Sequence, residues 1–459
     1  MLFNSLEFFV FSPLIITTYF LIQIRYRTPL LLIASYVFYG WWNVNYLFII
    51  IFSTSIDYFL GIRLHVIKDK KIKKLYLYLS LIANLGILFF FKYLTFFSMI
   101  LSSILGSFNI EYDIPTHNFL LPIGISFYTF QTLSYTIDVY KKRIFPETNF
   151  FKFALYVSFF PQLLAGPIER AKSLIPQFHF NYFFDYSRVV GGLRIVLWGF
   201  FKKTVIADRI AIYTKLVFEN PDNIVGLDIW FVSILFSFQI FCDFSAYSDI
   251  ALGIAKILGI KLSKNFGNRP YFAKSYVECW SMTHITLSNW LRDYFFIPFF
   301  SRSKLFSVYS GIFITMIICG LWHGASTTFI LWGAFHGLGI ILGQKYTLPL
   351  NNTSKRIIFL ISTIIPGLLF GSGDFNTLII LIKNAFVLSE ELISISAILL
   401  RFGLIVLMDL IHLRMGEKNF DEFLSTKSRY YRWGMYLFLI NMMIYFSPSE
   451  SFEFIYFQF

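Results

Sequence analysis

Two of the chain's seven histidines fall within one apolar run, "GLWHGASTTFILWGAFHG", residues 320–337. An imidazole at membrane depth is costly, and ionisable side chains there are so often functional that chemistry and packing start level as explanations. His323 follows Trp322 and lies near Cys319, Ser326 and Thr327, a patch with several polar partners. His336 sits among Phe335, Leu338 and glycines, where a single backbone hydrogen bond would satisfy it. The two rings are 13 residues apart, which on one continuous helix means roughly 20 Å of rise and about 220° of rotation. They cannot then meet on one substrate unless the helix breaks between them. Gly320–Gly324 and Gly333–Gly337 are GxxxG pairs, which let helix backbones approach closely, so each ring stands beside a tight contact. Context favours His323 for chemistry and His336 for packing.

A third candidate is His284, in "VECWSMTHITLSNWLRDYFFIP". At helical spacing Trp280, His284, Leu287 and Leu291 share a face, while Arg292 and Asp293 mark an interface. The segment either rests at the membrane surface or carries His284 into a cavity beside His323. Asp243 and Asp249 are six residues apart, about 240° around a helix, so structural hydrogen bonding suits them better than paired catalysis. Asp138 precedes Lys141 and Lys142 at ion-pair spacing, and Arg292–Asp293 and Glu169–Arg170 read as structural pairs. Cys319 lies four residues before His323, where a Cys–His nucleophile pair would share one helix face. The commoner role of such a cysteine is as a small buried hydrophobe. Cys242, Cys279 and Cys319 form neither a disulfide framework nor a metal-ligand spacing, and no metal is expected. GxSxG, HExxH, P-loop and GxGxxG motifs are absent.

The elements that hold these residues are membrane helices. The chain is 57% hydrophobic and only 14% charged, with a mean hydropathy of +0.65, whereas soluble domains carry roughly 25% charged residues. Apolar stretches near the length needed to cross about 30 Å of hydrocarbon recur throughout. Segments such as "LLLIASYVFYGWW" do not alternate, which excludes a β-barrel. The net charge of +13 does not indicate nucleic acid, because the cations cluster in short loops: Arg25 and Arg27, then Lys68 to Lys74, then Lys141 to Arg143. Under the positive-inside rule such loops are cytoplasmic. Spans near 3–24, 30–45, 46–64, 76–100 and 119–140 then place residues 65–75 inside and the loop "GSFNIEYDIPTHN" outside. The first segment lacks a basic n-region and a small-residue cleavage site, so a retained span is expected. Asn352-Thr353-Ser354 matches a glycosylation acceptor, a pattern frequent by chance.

With no repeat and no linker, residues 1–459 read as one all-α, polytopic domain. The interruptions concentrate in residues 119–340, in "LPIGISFYTFQ", "FFPQLLAGPIER" and "KNFGNRPYFAKSYVECWSMTH". Non-helical backbone at membrane depth is tolerated only inside protein or around a water-filled cavity, so a cavity is expected there. The basic, aromatic stretch 261–276 is too polar to span. Lys261, Lys264, Arg269 and Lys274 either face anionic headgroups or form a cationic mouth for a phosphate-bearing donor.

The strings "LPIGISFYTFQTLSYTIDVY", "FFPQLLAGPIERAKSLIPQF", "FCDFSAYSDIALG", "WSMTHITLSNWLRDYFFIP" and "GLWHGASTTFILWGAFHG", in this order, resemble the membrane-bound O-acyltransferase (MBOAT) family. The resemblance is to the bacterial branch that includes the membrane subunits of alginate and peptidoglycan O-acetyltransferases. The family's WHG histidine falls on His323, and the histidine of its W-x-x-x-H-I-S-L-S segment falls on His284. Thr286 stands where Ser is usual, and Met282-Thr283 where a basic-aromatic pair is frequent. The resemblance implies transmembrane and re-entrant helices ringing a central tunnel in the bacterial cytoplasmic (inner) membrane. It further implies transfer of an acyl group, acetyl above all, from a cytoplasmic thioester such as acetyl-CoA or an acyl carrier protein, with no bound cofactor. The final acceptor would be an exported or cell-wall polysaccharide, reached with an exported esterase-like partner protein. His323 would be the general base, and His284 would orient the donor or polarise its carbonyl. The alternatives are D-alanyl transfer to teichoic acids from a carrier protein and, from another class, a polysaccharide or lipid flippase, which would usually carry internal repeats.

Overall fold

The computed structural model describes residues 1–110, 112, 121–301, 307–346, 348–387, 395–448 and 452–457. Among these residues the regular structure is helical, with no strand. Among the described residues six helical stretches are long and apolar enough to cross a membrane: Asn45–Val66, Lys70–Ser107, Leu227–Leu258, Thr327–Lys345, Asn352–Gly371 and Ile395–Met415. The chain is an all-α, multi-pass membrane protein. It divides into two compact units.

The first unit holds Met1 and residues 6–184 and 258–262. Its main helices are α1 (Leu6–Leu21), α2 (Arg27–Gly40), α3 (Asn45–Val66), α4 (Lys70–Leu88), α5 (Leu94–Ser107), α6 (Ile125–Tyr140) and α7 (Phe150–Ser158). A π turn at Phe89–Tyr93 joins α4 to α5. The first three expected spans coincide with α1, α2 and α3 to within five residues, whereas the helical stretch from Lys70 to Ser107 overruns the expected 76–100 by six and seven residues and α6 begins six residues into the expected 119–140. Most of the loop 106–118, and residues 119–120 of the fifth span, lie outside the described residues. The lysines from Lys70 to Lys74 open α4 rather than forming a loop, because Asp69 accepts from the Lys71 and Ile72 N–H groups at 2.8 and 2.9 Å. That side chain satisfies two of the donors a helix start leaves open.

Gly124 initiates α6 in the left-handed region at φ +76°, and a Cβ there would stand 2.7 Å from the Leu163 carbonyl oxygen. Only glycine fits both demands. Asp57 of α3 is fully buried and accepts hydrogen bonds from Ser80, Asn84 and Thr136, which ties α3, α4 and α6 together. Asp138 pairs with Arg143 at 3.1 Å. The helix ends at Tyr140, and Lys142 turns into the left-handed region, so helical spacing no longer applies beyond it.

The second unit holds residues 2–5, 185–257 and 263–459. Among its helices are α8 (Tyr186–Phe200), α9 (Asp208–Glu219), α10 (Leu227–Leu258, whose last residue belongs to the first unit), α11 (Tyr276–Met282), α12 (Ile285–Trp290), α13 (Val308–His323), α14 (Thr327–Lys345), α15 (Asn352–Ser362), α16 (Ile364–Gly371), α17 (Ile395–Met415), α18 (Phe420–Ser425) and α19 (Arg429–Phe446). A π stretch, Phe201–Ala207, links α8 to α9. The 32 residues of α10 extend about 48 Å at 1.5 Å per residue, and the helix is mostly buried.

The run that holds His323 and His336 is not one helix. It is a hairpin, with α13 ending at His323, Gly324 extended, and Ser326 capping α14 by accepting from the Thr328 N–H. The glycines of the two GxxxG pairs face across it. A Cβ on Gly320 would come within 2.1 Å of the Phe329 carbonyl oxygen, and one on Gly333 within 2.3 Å of the Met316 carbonyl oxygen.

Candidate functional site

Both histidines singled out for chemistry sit at helix breaks. His284 separates α11 from α12 and adopts φ +44°, a left-handed conformation unusual for a residue with a side chain. The face shared by Trp280, His284, Leu287 and Leu291 on a continuous helix therefore does not form. The break is held by backbone pairing with the basic stretch: Gly267 N–H donates to Met282 O at 2.7 Å and Ile285 N–H to Asn265 O at 2.9 Å.

Asn265 is the hub of this arrangement. Its Oδ1 accepts from the Thr286 N–H at 3.2 Å and from the Thr286 hydroxyl at 2.8 Å, which identifies that atom as the amide oxygen. His284 Nδ1, 3.3 Å from the same oxygen, must then be the donor. The neutral ring consequently carries its lone pair on Nε2. Thr286 keeps the hydroxyl that serine would supply, so the departure from the family's usual residue costs no hydrogen bond.

His284 and His323 are 2% and 4% exposed, with ring centroids 6.4 Å apart. Both line a predominantly apolar cavity of about 140 Å³, as do His336, Trp332, Phe244 and Tyr456. The break after His323 is what permits His336 to share this wall. The His323 ring lies 5.0 Å from Trp332, whose ring lies 4.3 Å from His336. His336 is held by a side chain and not by a backbone group: Trp280 Nε1–H donates to its Nδ1 at 3.1 Å. Cys319 is buried but is not among the residues lining the cavity, which disfavours a nucleophile pair with His323.

The four cations of the basic stretch do not line the cavity. Lys261 belongs to the first unit, where its backbone exchanges hydrogen bonds with the Gln177 side chain at 2.8 and 2.9 Å. In the second unit Arg269 is engaged by Asp409 of α17 in a bidentate pair at 2.6 and 2.8 Å. Its charge is neutralised locally, so it is a poor ligand for a donor phosphate. Lys264 is exposed near Glu417, with Nζ 4.0 Å from the carboxylate. Lys274 is half-buried.

Residue reading passed over three participants. Asn265 looked like one polar residue in a basic stretch. Tyr456 approaches from far along the chain, its ring 5.3 Å from His323 and 4.7 Å from Phe244. Lys203 forms buried ion pairs with Asp208 and Asp243, each at 2.8 Å. Two signals were available: the aromatic string "FEFIYFQF" and a Lys-Lys pair inside the apolar "GFFKKTVIA".

The model of MBOAT, the membrane-bound O-acyltransferase family, matches residues 72–364. The "Probable alginate O-acetylase AlgI" of Pseudomonas aeruginosa is 38% identical over 379 residues, covering 81% of this chain and 72% of the relative. The "Peptidoglycan O-acetyltransferase" of Helicobacter pylori is 37% identical, covering 76% and 71%. The "Teichoic acid D-alanyltransferase" of Bacillus subtilis is 26% identical, covering 49% and 59%.

Proposed function

This chain belongs to the membrane-bound O-acyltransferase family and is an acyltransferase, and from that premise we propose that it O-acetylates an exported or cell-wall polysaccharide. The acetyl group comes from a cytoplasmic thioester, coenzyme A or a carrier protein, and crosses the bacterial inner membrane through this chain. The observation that carries the reading is the convergence of His284 and His323, 6.4 Å apart, on one predominantly apolar cavity with a phenol beside them. The names of the relatives above, alginate and peptidoglycan acetylation, supply the acceptor class.

His323 is the general base. The first acceptor is a hydroxyl of the protein itself, a reading supported by the phenol that stands beside His323. Three tyrosines line the cavity. The Tyr271 hydroxyl lies 3.4 Å from His412, and that of Tyr276 hydrogen-bonds Ser362 at 2.9 Å. Tyr456 is the one whose ring meets His323. His323 takes the phenol proton as the oxygen attacks the thioester carbonyl. The C–S bond breaks, and the thiolate leaves with the proton returned by the imidazolium. The aryl ester is then open to attack by an acceptor hydroxyl, delivered with an exported partner protein. His284, with its Nδ1–H committed to Asn265, orients the donor by accepting a hydrogen bond at Nε2, for which the amide N–H groups of a pantetheine arm are suited. Polarising a carbonyl would require the protonated ring. Lys264 and Lys274 remain as the cations that attract the donor's phosphates.

The test is acetyl transfer by purified protein. His323→Ala should lose 10²-fold or more, roughly the contribution of a general base, while His336→Ala stays within about tenfold of wild type. Mass spectrometry should find an acetyl ester on Tyr456 when acceptor is withheld. Equal losses in both histidine variants at matched expression would refute the assignment of the base. Transfer from a D-alanyl carrier protein, but from no acetyl thioester, would replace acetylation with D-alanylation.

A further inference from the structure

We propose that Lys203, Asp208 and Asp243 form a buried ionic anchor that positions residues 452–457, and through them Tyr456, against the catalytic histidines. Lys203 lies in the π stretch after α8, Asp208 opens α9, and Asp243 lies midway along α10. The three side chains are 1%, 4% and 3% exposed, and Lys203 Nζ stands 2.8 Å from a carboxylate oxygen of each aspartate. The other oxygen of Asp243 accepts the Ile455 backbone N–H at 2.8 Å. Ile455 immediately precedes Tyr456.

A second link runs through rings. Lys203 Nζ sits 5.7 Å from the centre of Tyr247, and Tyr247 packs on Phe454 at 4.4 Å. Phe244, next to Asp243, meets both His284 at 4.6 Å and Tyr456 at 4.7 Å. One stretch of α10 therefore holds the backbone of the segment and builds the wall its tyrosine rests on. The segment contributes to two cavities. Tyr456 lines the apolar one with the histidines, while Ile455 lines a polar one of about 360 Å³ together with Lys203, Asp208 and Asp243.

Stability alone is a poor reason for this cluster. Desolvating three charges costs about what their attraction returns, and apolar replacements of buried ionic triads are often neutral or stabilising. What an apolar trio cannot supply is an acceptor for the Ile455 N–H. An ionised acceptor makes a hydrogen bond about twice as strong as a neutral one. The anchor acts through Tyr456, so Lys203, Asp208 and Asp243 are positioning residues.

The activity arm of the test rests on the acyl-transfer reading above, and the labelling arm does not. Ile455→Cys in the otherwise intact protein should react slowly with a maleimide, because the residue is buried. Adding Asp243→Asn, or the apolar triple Lys203→Met/Asp208→Leu/Asp243→Leu, should accelerate labelling by about tenfold or more. In the Ile455 background, Asp243→Asn should lower kcat about tenfold with donor KM within about twofold, the pattern of a lost transition-state arrangement. The triple should lose about 100-fold or more while eluting as folded protein. A folded triple with wild-type kcat and an unchanged labelling rate would overturn the anchor. If the triple does not accumulate, parent-rate labelling in the isosteric Asp243→Asn variant overturns it equally. Accelerated labelling in a protein that transfers acyl groups from no thioester would support the anchor and refute the acyl-transfer reading.

Discussion

Removing the Asn265 side chain should inactivate the enzyme without unfolding it. In Asn265→Ala the oxygen that receives Thr286 N–H, Thr286 hydroxyl and His284 Nδ1–H is gone, whereas the backbone bond from Ile285 to residue 265 remains. A buried donor left without its acceptor costs about 1–3 kcal/mol. The left-handed conformation of His284 adds a strain of order 1–3 kcal/mol, which persists only while its surroundings over-determine it. The cheapest relief is for residue 284 to rotate out of that conformation, taking the imidazole away from His323. If about 2–3 kcal/mol of orientation is lost, kcat should fall roughly 30- to 150-fold, at 1.36 kcal/mol per decade. Steady-state kinetics on detergent-purified protein, with donor varied, is the assay. Asn265→Asp keeps the accepting oxygens and should restore most of the rate. An Asn265→Ala enzyme within threefold of wild type, or one as impaired as its Asp counterpart, would refute the claim that this oxygen sets the ring.

The hairpin glycines make a structural prediction. Gly320→Ala and Gly333→Ala put a methyl within 2.1 and 2.3 Å of backbone oxygens, so each should cost at least the 1–3 kcal/mol typical of overpacking, read as a lowered Tm, while Gly403→Ala, with open space around it, should not. Acid stability should depend on Asp421. Burial alone would raise its carboxyl, but hydrogen bonds and charge from Lys256 and Arg194 outweigh that and hold it below the ordinary carboxylate value. A depressed folded pKa contributes stability above the unfolded value near 3.9 that is lost as pH falls through the folded one. Asp421→Asn should therefore flatten the loss of thermal stability on acidification below about pH 4. Neutralising Lys264 and Lys274 together should raise the donor KM at low salt and leave kcat unchanged, with the effect fading toward 1 M salt, where the Debye length is about 3 Å. Arg269→Met should instead lower stability, because it strands Asp409.

What the amino-acid sequence determined by itself is set by the bilayer. A lipid-embedded backbone must satisfy its own hydrogen bonds, so hydropathy located the helices of the first unit, and of the three interrupted strings in residues 119–340 the one at 264–284 lines the cavity while those at 121–131 and 159–170 do not. The costly imidazoles of His284 and His323 stood out for the same reason, and the ordered motifs around them identified the family. Tertiary structure decided how those residues meet. Local periodicity treats a run such as 320–337 as one helix, yet Gly324 and Ser326 break it there because the two arms gain close glycine contacts, and that break brings His336 onto the His323 wall. The same holds at His284, whose break depends on Asn265, 19 residues away. Tyr456 and Asp243 are joined across more than 200 residues through the Ile455 N–H, and Asp409 claims Arg269 from 140 residues away. Such pairings depend on which helix faces pack together, a property of the whole chain that no local spacing encodes.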